Sequence, residues 1–251
     1  MNRIYWDKDS IGIVTDHIDA APHSHPMMQL FLSIEGLLDI EVSGGMLSCR
    51  CVVVDKNILH AFNTKGKLHF SLITPPTTEL AEQLCRKMNG LGYLICDGAE
   101  IKNIQQQAKC LVQNHSVQGY QAFMKQLLMF LGVEQKTPAY DDRITELLSF
   151  LDECSCDGHA ISQFACKVAL SPSRLSHLFK EQTGVPLKSY ITLHQMERAF
   201  IGLLGGKSIT EAALNAGFDT PSHFAATTKR LMGMSASLSL KDSEFLKVSD
   251  L

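Results

Sequence analysis

The sequence predicts two domains: an all-β barrel or sandwich followed by helices, then an all-α domain. Three observations carry that reading. Up to about residue 75, short runs of β-branched and large apolar residues alternate with turn residues, the pattern of packed antiparallel strands. After Pro75-Pro76 the apolar residues recur at helical spacing. Between residues 161 and 233 one helix-turn-helix pattern occurs twice.

Composition sets the frame. The chain has 251 residues, 45% apolar and 20% charged, enough for a real core and one to two domains. The opening MNRIYWDKDS carries acids and no apolar stretch, so no export signal is expected there. No apolar run approaches the roughly 20 residues a membrane helix needs. The eight cysteines (49, 51, 85, 96, 110, 154, 156 and 166) are scattered, as free thiols in a reducing cytoplasm would be. A cytoplasmic protein without a membrane partner is expected. The net charge of −3 does not advertise a polyanion partner.

The predicted strands come first. MQLFLSI (28–34), LLDIEV (37–42), LSCRCVVV (47–54) and LHFSLI (68–73) are separated by Gly36, Ser43-Gly44-Gly45, Asp55-Lys56-Asn57 and Lys65-Gly66-Lys67. Within 47–54, Cys49 and Cys51 stand two apart and would share one strand face. Two readings of them stand: a soft-metal or redox site with His60, or small buried apolar residues. Residues 117–132 then form an amphipathic helix, with Tyr120, Phe123, Met124, Leu127, Leu128 and Leu131 on one stripe. That stripe packs on the barrel or forms a dimer interface. Glu134-Gln135-Lys136-Thr137-Pro138 is the boundary stretch, dividing residues 1–136 from a second domain at 141–240. Leu204-Gly205-Gly206-Lys207-Ser208 resembles a phosphate loop only superficially, since its first glycine position is Ile201 and no strand precedes it.

The repeat aligns ISQFACKVALSPSRLSHLFKEQTG (161–184) with ITEAALNAGFDTPSHFAATTKRLMG (209–233). Ala165 and Ala213 are small enough for two helices to cross, and Ala169 and Gly217 open the turn between them. Ser171-Pro172 and Thr220-Pro221 supply an N-cap hydroxyl followed by proline at the first helical position. Ser208-Ile-Thr-Glu211 matches a capping box. In the helix after Ser171, Leu175, Leu178 and Phe179 form an apolar stripe with Gln182 beside them. Ser173, Arg174, Ser176, His177 and Lys180 occupy the other faces, short or basic side chains that can reach a groove.

At SPSRLSHLFKEQTGVPLKSY and GKSITEAALNAGFDTPSHFAATTKRLMGMS the sequence resembles the DNA-binding domain of the AraC/XylS regulators, over about residues 141–238. The resemblance implies two recognition helices, near 172–182 and 221–231, joined by a linker helix near 187–204. Such helices enter successive major grooves about one turn apart. By position, Ser173, Ser176 and His177 would face bases in the first half, and Ser222 and His223 in the second. Arg174 and Lys180 suit phosphates by their charge. The sequence departs from the family in its charge and at four sites. Residues 141–240 hold nine Lys and Arg against ten Asp and Glu, a net of −1. Gln195 replaces the family's arginine, Ala226 a polar contact residue, and Thr228 a core aromatic; Ser235-Ala236 stands for Ser-Pro. The first helix is therefore expected to do most of the reading, with affinity that depends on dimerisation.

APHSHPMMQLFLSIEG (21–36) resembles the first cupin motif: His23-x-His25, three residues, Gln29, six residues, Gly36, with Gln at the usual Glu. DKNILHAFN (55–63) resembles the second motif, with His60 and Asn63 in place. The cupin resemblance spans about residues 10–75, so the N-terminal domain reads as a cupin-like barrel. It implies that His23, His25, Gln29 and His60 converge inside the barrel. There they would line an effector pocket, hold a Zn, Fe, Ni or Cu ion, or serve as buried structural groups. The two resemblances together imply a ligand-responsive transcription regulator rather than an enzyme. Its partners would be double-stranded DNA, a small-molecule effector, RNA polymerase and a second copy of the chain; no cofactor is implied. A metal- or thiol-responsive regulator and a cupin oxygenase or isomerase are the alternatives.

Overall fold

The computed structural model describes residues 2–7, 10–134, 140–153, 161–232, 235 and 243–248. In chain order the N-terminal half holds β1 (Asn2–Asp7), β2 (Ser10–Thr15), β3 (Asp19–His23), β4 (Met28–Ser33), β5 (Leu38–Val42), β6 (Gly45–Cys49), β7 (Cys51–Val54), β8 (His60–Asn63) and β9 (His69–Thr74). It continues through α1 (Glu79–Met88), β10 (Tyr93–Ile95), α2 (Ile101–Gln113) and α3 (Val117–Leu131). The helical half holds α4 (Asp142–Glu153), α5 (Ile161–Lys167), α6 (Pro172–Thr183), α7 (Leu187–Leu204), α8 (Ile209–Asn215) and α9 (Pro221–Met232), and β11 (Ser243–Lys247) follows.

The strands form two sheets. One has the order β10-β7-β4-β9-β2-β1-β11 and the other β3-β8-β5-β6. β4 and β9 are buried at every position, because this part of the larger sheet is covered on both faces. Alternation sorts their side chains. Leu30, Leu32, Phe70 and Leu72 join a core with residues of α1, α2 and α3. Phe31 points the other way, into a core with Leu38, Ile40 and Phe62 of the smaller sheet. The same alternation sends Gln29 and Ser71 to the Phe31 side.

The single strand expected at 47–54 is two strands. The chain bends at Arg50, leaving β6 in the smaller sheet and β7 in the larger one. Cys49 consequently belongs to the core between the sheets and Cys51 to the core under the helices. The two cysteines do not share a face, and among the described residues neither joins the histidine cluster. Cys154, Cys156 and Ala236 lie outside the described residues, as does the boundary stretch apart from Glu134.

α3 is set by its ends and its stripe. Ser116 Oγ accepts from Gly119 N–H at the start, and Gly132 closes the helix in the left-handed conformation at φ 60°. Tyr120, Phe123, Leu127 and Leu131 are buried in the barrel core, with the Phe123 and Phe70 rings 4.8 Å apart at near-perpendicular planes. Tyr120 stacks on Tyr5 at 4.6 Å and covers Gly12, where an added Cβ would stand 2.6 Å from its ring.

β11 lies beyond all six helices of the second half, yet it pairs parallel with β1, from Asn2 opposite Ser243 to Trp6 opposite Lys247. Arg3 Nε donates to Glu244 Oε2 at 3.0 Å, and Asn2 Nδ2 donates to Ser243 Oγ at 2.6 Å. By contact the chain divides into two compact units, residues 1–137 with 230–251, and residues 138–229.

In the second unit, Ile144, Leu147 and Leu151 of α4 pack with Leu175, Leu178 and Phe179 of α6 and with Leu187, Tyr190 and Ile191 of α7. Ala165 and Ala213 are fully buried where α5 and α8 meet their neighbours. Ala169 and Gly217 adopt φ of 52° and 87°, the left-handed conformation that opens each turn. Ser171 Oγ accepts from Arg174 N–H ahead of Pro172, and Thr220 Oγ1 accepts from His223 N–H at 3.0 Å. Ser208 and Glu211 form the expected capping box at α8.

Candidate functional site

Four elements deliver the barrel's polar cluster. β3 ends on His23, the turn after it carries His25, β4 carries Gln29, and β8 opens on His60 directly opposite His23. All four side chains are buried. The ring centroids of His23 and His60 are 4.4 Å apart, and those of His25 and His60 are 5.1 Å apart. One ligand-capable nitrogen from each of the three rings falls within 4.8 Å of the other two.

Backbone carbonyls fix two of the tautomers. His23 Nδ1–H donates to Ala21 O at 2.8 Å and His60 Nδ1–H to Ile58 O at 2.9 Å, while His25 Nδ1 stands 3.0 Å from Met27 O. A carbonyl only accepts, so in His23 and His60 Nδ1 carries the proton and Nε2 keeps its lone pair, whereas His25 faces an acceptor at each nitrogen, Met27 O and Gln29 Oε1, and its one proton serves one of them. Burial opposes a positive charge here: it lowers His23, pulls His25 down to about 4 and His60 to about 3. The rings are neutral at physiological pH. Gln29 Oε1 stands 3.0 Å from His25 Nε2, and its Nε2 donates to Ser71 Oγ at 2.8 Å. His60 Nε2 has no hydrogen-bond partner among the described residues. The cluster is thus a set of inward-facing acceptors, which a cation or a hydrogen-bond donor would satisfy.

A cavity of about 70 Å³ adjoins the cluster, lined by His23, His25 and Gln29 with Thr15, Phe31 and Phe62 among its walls. That is room for a few water molecules, well short of the roughly 300–1,000 Å³ of drug-sized pockets. Ser71 is the site residue that sequence reasoning missed. Its signal was a serine between Phe70 and Leu72 in HFSLIT, at the same strand parity as Ile73, the partner position of Gln29. Asn63, the other residue of the second motif, is exposed and donates to Asp19 Oδ1 at 2.8 Å, bracing β8 on β3.

On α6, Ser173, Arg174, His177 and Lys180 are exposed, while Leu175, Leu178 and Phe179 are buried. Ser176 is half-buried, and its hydroxyl donates back to Pro172 O at 2.8 Å. Ser222 and His223 are exposed at the start of α9. The His223 ring lies edge-on to Phe218 and its Nδ1 is 3.5 Å from Asp219 Oδ2. Gln195, which stands where the family has arginine, donates to Gly217 O at 2.8 Å and so ties α7 to the second turn. Ala226 is exposed. Thr228 is fully buried with its hydroxyl unpartnered among the described residues, the mark of a polar group at a core position.

Comparison with known proteins agrees with this arrangement. A family model of a helix-turn-helix domain matches residues 164–241. The arabinose operon regulatory protein of Salmonella typhimurium is 32% identical over 106 residues, which are 41% of this chain and 38% of that protein. The bifunctional transcriptional activator/DNA repair enzyme Ada of Escherichia coli is 32% identical over 95 residues, 38% of this chain and 26% of that protein. The chain therefore matches less than half the length of these curated relatives. Among solved structures, ToxT from Vibrio cholerae O395 superposes with a TM-score of 0.57 at 14% identity, covering 92% of this chain and 96% of that one. ToxT of strain SCE256 with a bound unsaturated fatty acid gives 0.56 at 14% identity, covering 92% and 94%. At such identity the likeness is one of fold: a strand-rich N-terminal half followed by helices that include the helix-turn-helix. Among the described residues, no helix is long and apolar enough to cross a membrane.

Proposed function

We propose that this chain, AraC-type in its helix-turn-helix domain, is a sequence-specific transcription regulator whose N-terminal barrel senses a compact effector. Residues 1–136 are the sensor and residues 141–240 the DNA reader, working as a homodimer without catalysis. The observation that carries the reading is the repetition at atomic detail: two capped helices, each following a left-handed turn, with polar side chains exposed in their first turn. Ser173, His177, Ser222 and His223 read base edges, and Ser176 contributes when its hydroxyl leaves the Pro172 carbonyl. Arg174 and Lys180 hold phosphates.

The experiment is selection of binding sites from a random duplex library, followed by titration of variants. His177→Ala is expected to relax base preference at one or two positions, costing about 1–3 kcal/mol on the selected site alone. Lys180→Ala is expected to weaken selected and random duplexes alike and to lower the salt slope by about one. Equal losses on both duplexes for both variants would remove this assignment, and failure to select any site would remove the function.

The effector reaches DNA through linkage. A ligand that tightens DNA binding must itself bind tighter to the DNA complex, by the same factor. ToxT carries an unsaturated fatty acid in one of the similar structures, but a cavity of about 70 Å³ suits a ligand of few heavy atoms. The converging acceptors favour a second reading, a metal-responsive regulator. His23 and His60 would offer two Nε2 lone pairs whose Nδ1–H groups are already held by carbonyls, the outer support that imidazole ligands ordinarily have, and His25 would add a third once its Nε2 leaves Gln29 Oε1. Gln29 would add a neutral oxygen. Titration with Zn²⁺ or Co²⁺, with and without the selected duplex, separates the readings: metal binding that shifts DNA affinity supports the second.

A further inference from the structure

Cys51 and Cys96 take no part in either site above. β10 runs antiparallel to β7 with Tyr93 opposite Val54, Leu94 opposite Val53 and Ile95 opposite Val52. The ladder continues one step further, since Cys96 N–H donates to Cys51 O at 2.9 Å. The two cysteines are therefore directly opposed on neighbouring strands, where Cα atoms stand about 5.5 Å apart. A disulfide spans about 4.4–6.8 Å between Cα atoms. Both side chains face the core under the helices, Cys51 within it and Cys96 packed against it, and the Cys96 thiol donates to Leu94 O at 3.7 Å. Asp97 locks the register from the strand's end: its Oδ1 accepts Arg50 N–H at 2.8 Å and Cys51 N–H at 3.3 Å.

The two thiols have different surroundings. Cys51 is fully buried in the core under the helices, whereas Cys96 is half-buried and packs against that core from outside. The neighbouring Cys51 thiol, with help from the Lys87 charge, holds the Cys96 thiol below its ordinary range. The same pairing and burial push Cys51 well up. Cys49 is nearby in sequence but belongs to the opposite core, and burial pushes its thiol up to about 12.

We propose that Cys96 and Cys51 are a peroxide-oxidisable pair that closes to an intrachain disulfide. Cys96 is the attacking thiol and Cys51 the resolving one. The Cys96 thiolate attacks one peroxide oxygen, the O–O bond breaks, and Cys96 becomes a sulfenic acid as the other oxygen leaves as water. Cys51 sulfur then attacks the sulfenic sulfur, the S–O bond breaks, and a second water leaves with the Cys51 proton. Two thiols and one hydrogen peroxide thus give one disulfide and two waters. The bond pins β10, and the start of the segment leading to α2, onto β7. The proposal is independent of the DNA-binding reading.

The test uses the reduced full-length chain and hydrogen peroxide in few-fold excess, followed by alkylation and peptide mapping by mass spectrometry. The expected product is a Cys51–Cys96 linked peptide lighter by two hydrogens than its reduced parts, forming in most molecules and reversed by dithiothreitol. Cys96→Ser should leave Cys51 unoxidised at the same dose. Cys51→Ser should leave Cys96 as a sulfenic acid that a dimedone-type probe labels. The wild-type map decides even if a variant folds poorly. A Cys49–Cys96 link, a Cys96 sulfinic acid without a link, links only between molecules through exposed Cys110 or Cys166, or no reaction would each overturn the proposal.

Discussion

His60 sits at the centre of the barrel's polar cluster with its Nδ1 proton committed to a carbonyl and its Nε2 unpartnered among the described residues. Burial holds it near 3 and His25 near 4, and lowers His23 and His69 too. In the unfolded chain all four would titrate near 6.5. Between those values the unfolded state binds more protons than the folded one, so stability is full above about pH 6.5 and falls as pH drops toward 4. His25 and His60 each add a slope of about 1.4 kcal/mol per pH unit once their unfolded forms are protonated, and His23 and His69 act in the same direction. Urea unfolding at pH 7.5 and pH 5 should show this loss, and His60→Leu should flatten the slope by about one proton. A stability that stays level across that range would contradict the neutral, desolvated cluster.

α3 carries its own prediction at the scale of elements. Its Tyr120 ring rests on the bare backbone of Gly12, leaving 2.6 Å to any added Cβ. Gly12→Ala must push the ring out, lifting the helix from β1 and β2, and should cost about 1–3 kcal/mol by the penalty of overpacking. Thermal unfolding checks it, and an unchanged midpoint would mean that α3 shifts freely. The amphipathic stripe and both caps of this helix are local chemistry, which is why residues 117–132 could be read directly. The helix-turn-helix repeat was legible for the same reason: Ala165, Ala169, Ser171 and Pro172 each state a local constraint, and Ala213, Gly217, Thr220 and Pro221 state it again. Long-range pairing was not legible. LSCRCVVV reads as one strand with Ser48 and Arg50 on its outer face, and no turn residue marks Arg50 as the point where the chain changes sheets. SEFLK at 243–247 carries two charges in five residues and no alternation that points to a partner near residue 2. The cluster fell between these cases, since motif spacing indicated His23, His25, Gln29 and His60, whereas Ser71 depends on which strand lies beside β4.

At the scale of the whole molecule, the chain leaves the barrel unit before residue 138 and rejoins it from residue 230. The helical unit is thus an insertion between two segments of one compact body. β11 seals what would otherwise be an open edge at β1, with Arg3 holding Glu244 and also donating to the Val112 carbonyl in the last turn of α2. Deleting residues 243–251 should unseal that edge, lower the thermal midpoint and produce concentration-dependent self-association, because unpaired strand edges template pairing. Analytical ultracentrifugation checks it; a truncated chain that stays monodisperse at the full-length midpoint would make β11 ornamental. The same strand also sets a clock on synthesis. Asn2 and its partner Ser243 are separated by 241 positions, which a ribosome adding about 5–20 residues per second crosses in roughly 10–50 s. For that interval the growing barrel waits with β1 exposed, a period in which a chaperone could recognise it. A chain cut short anywhere between residues 141 and 240 never gains the strand that covers β1.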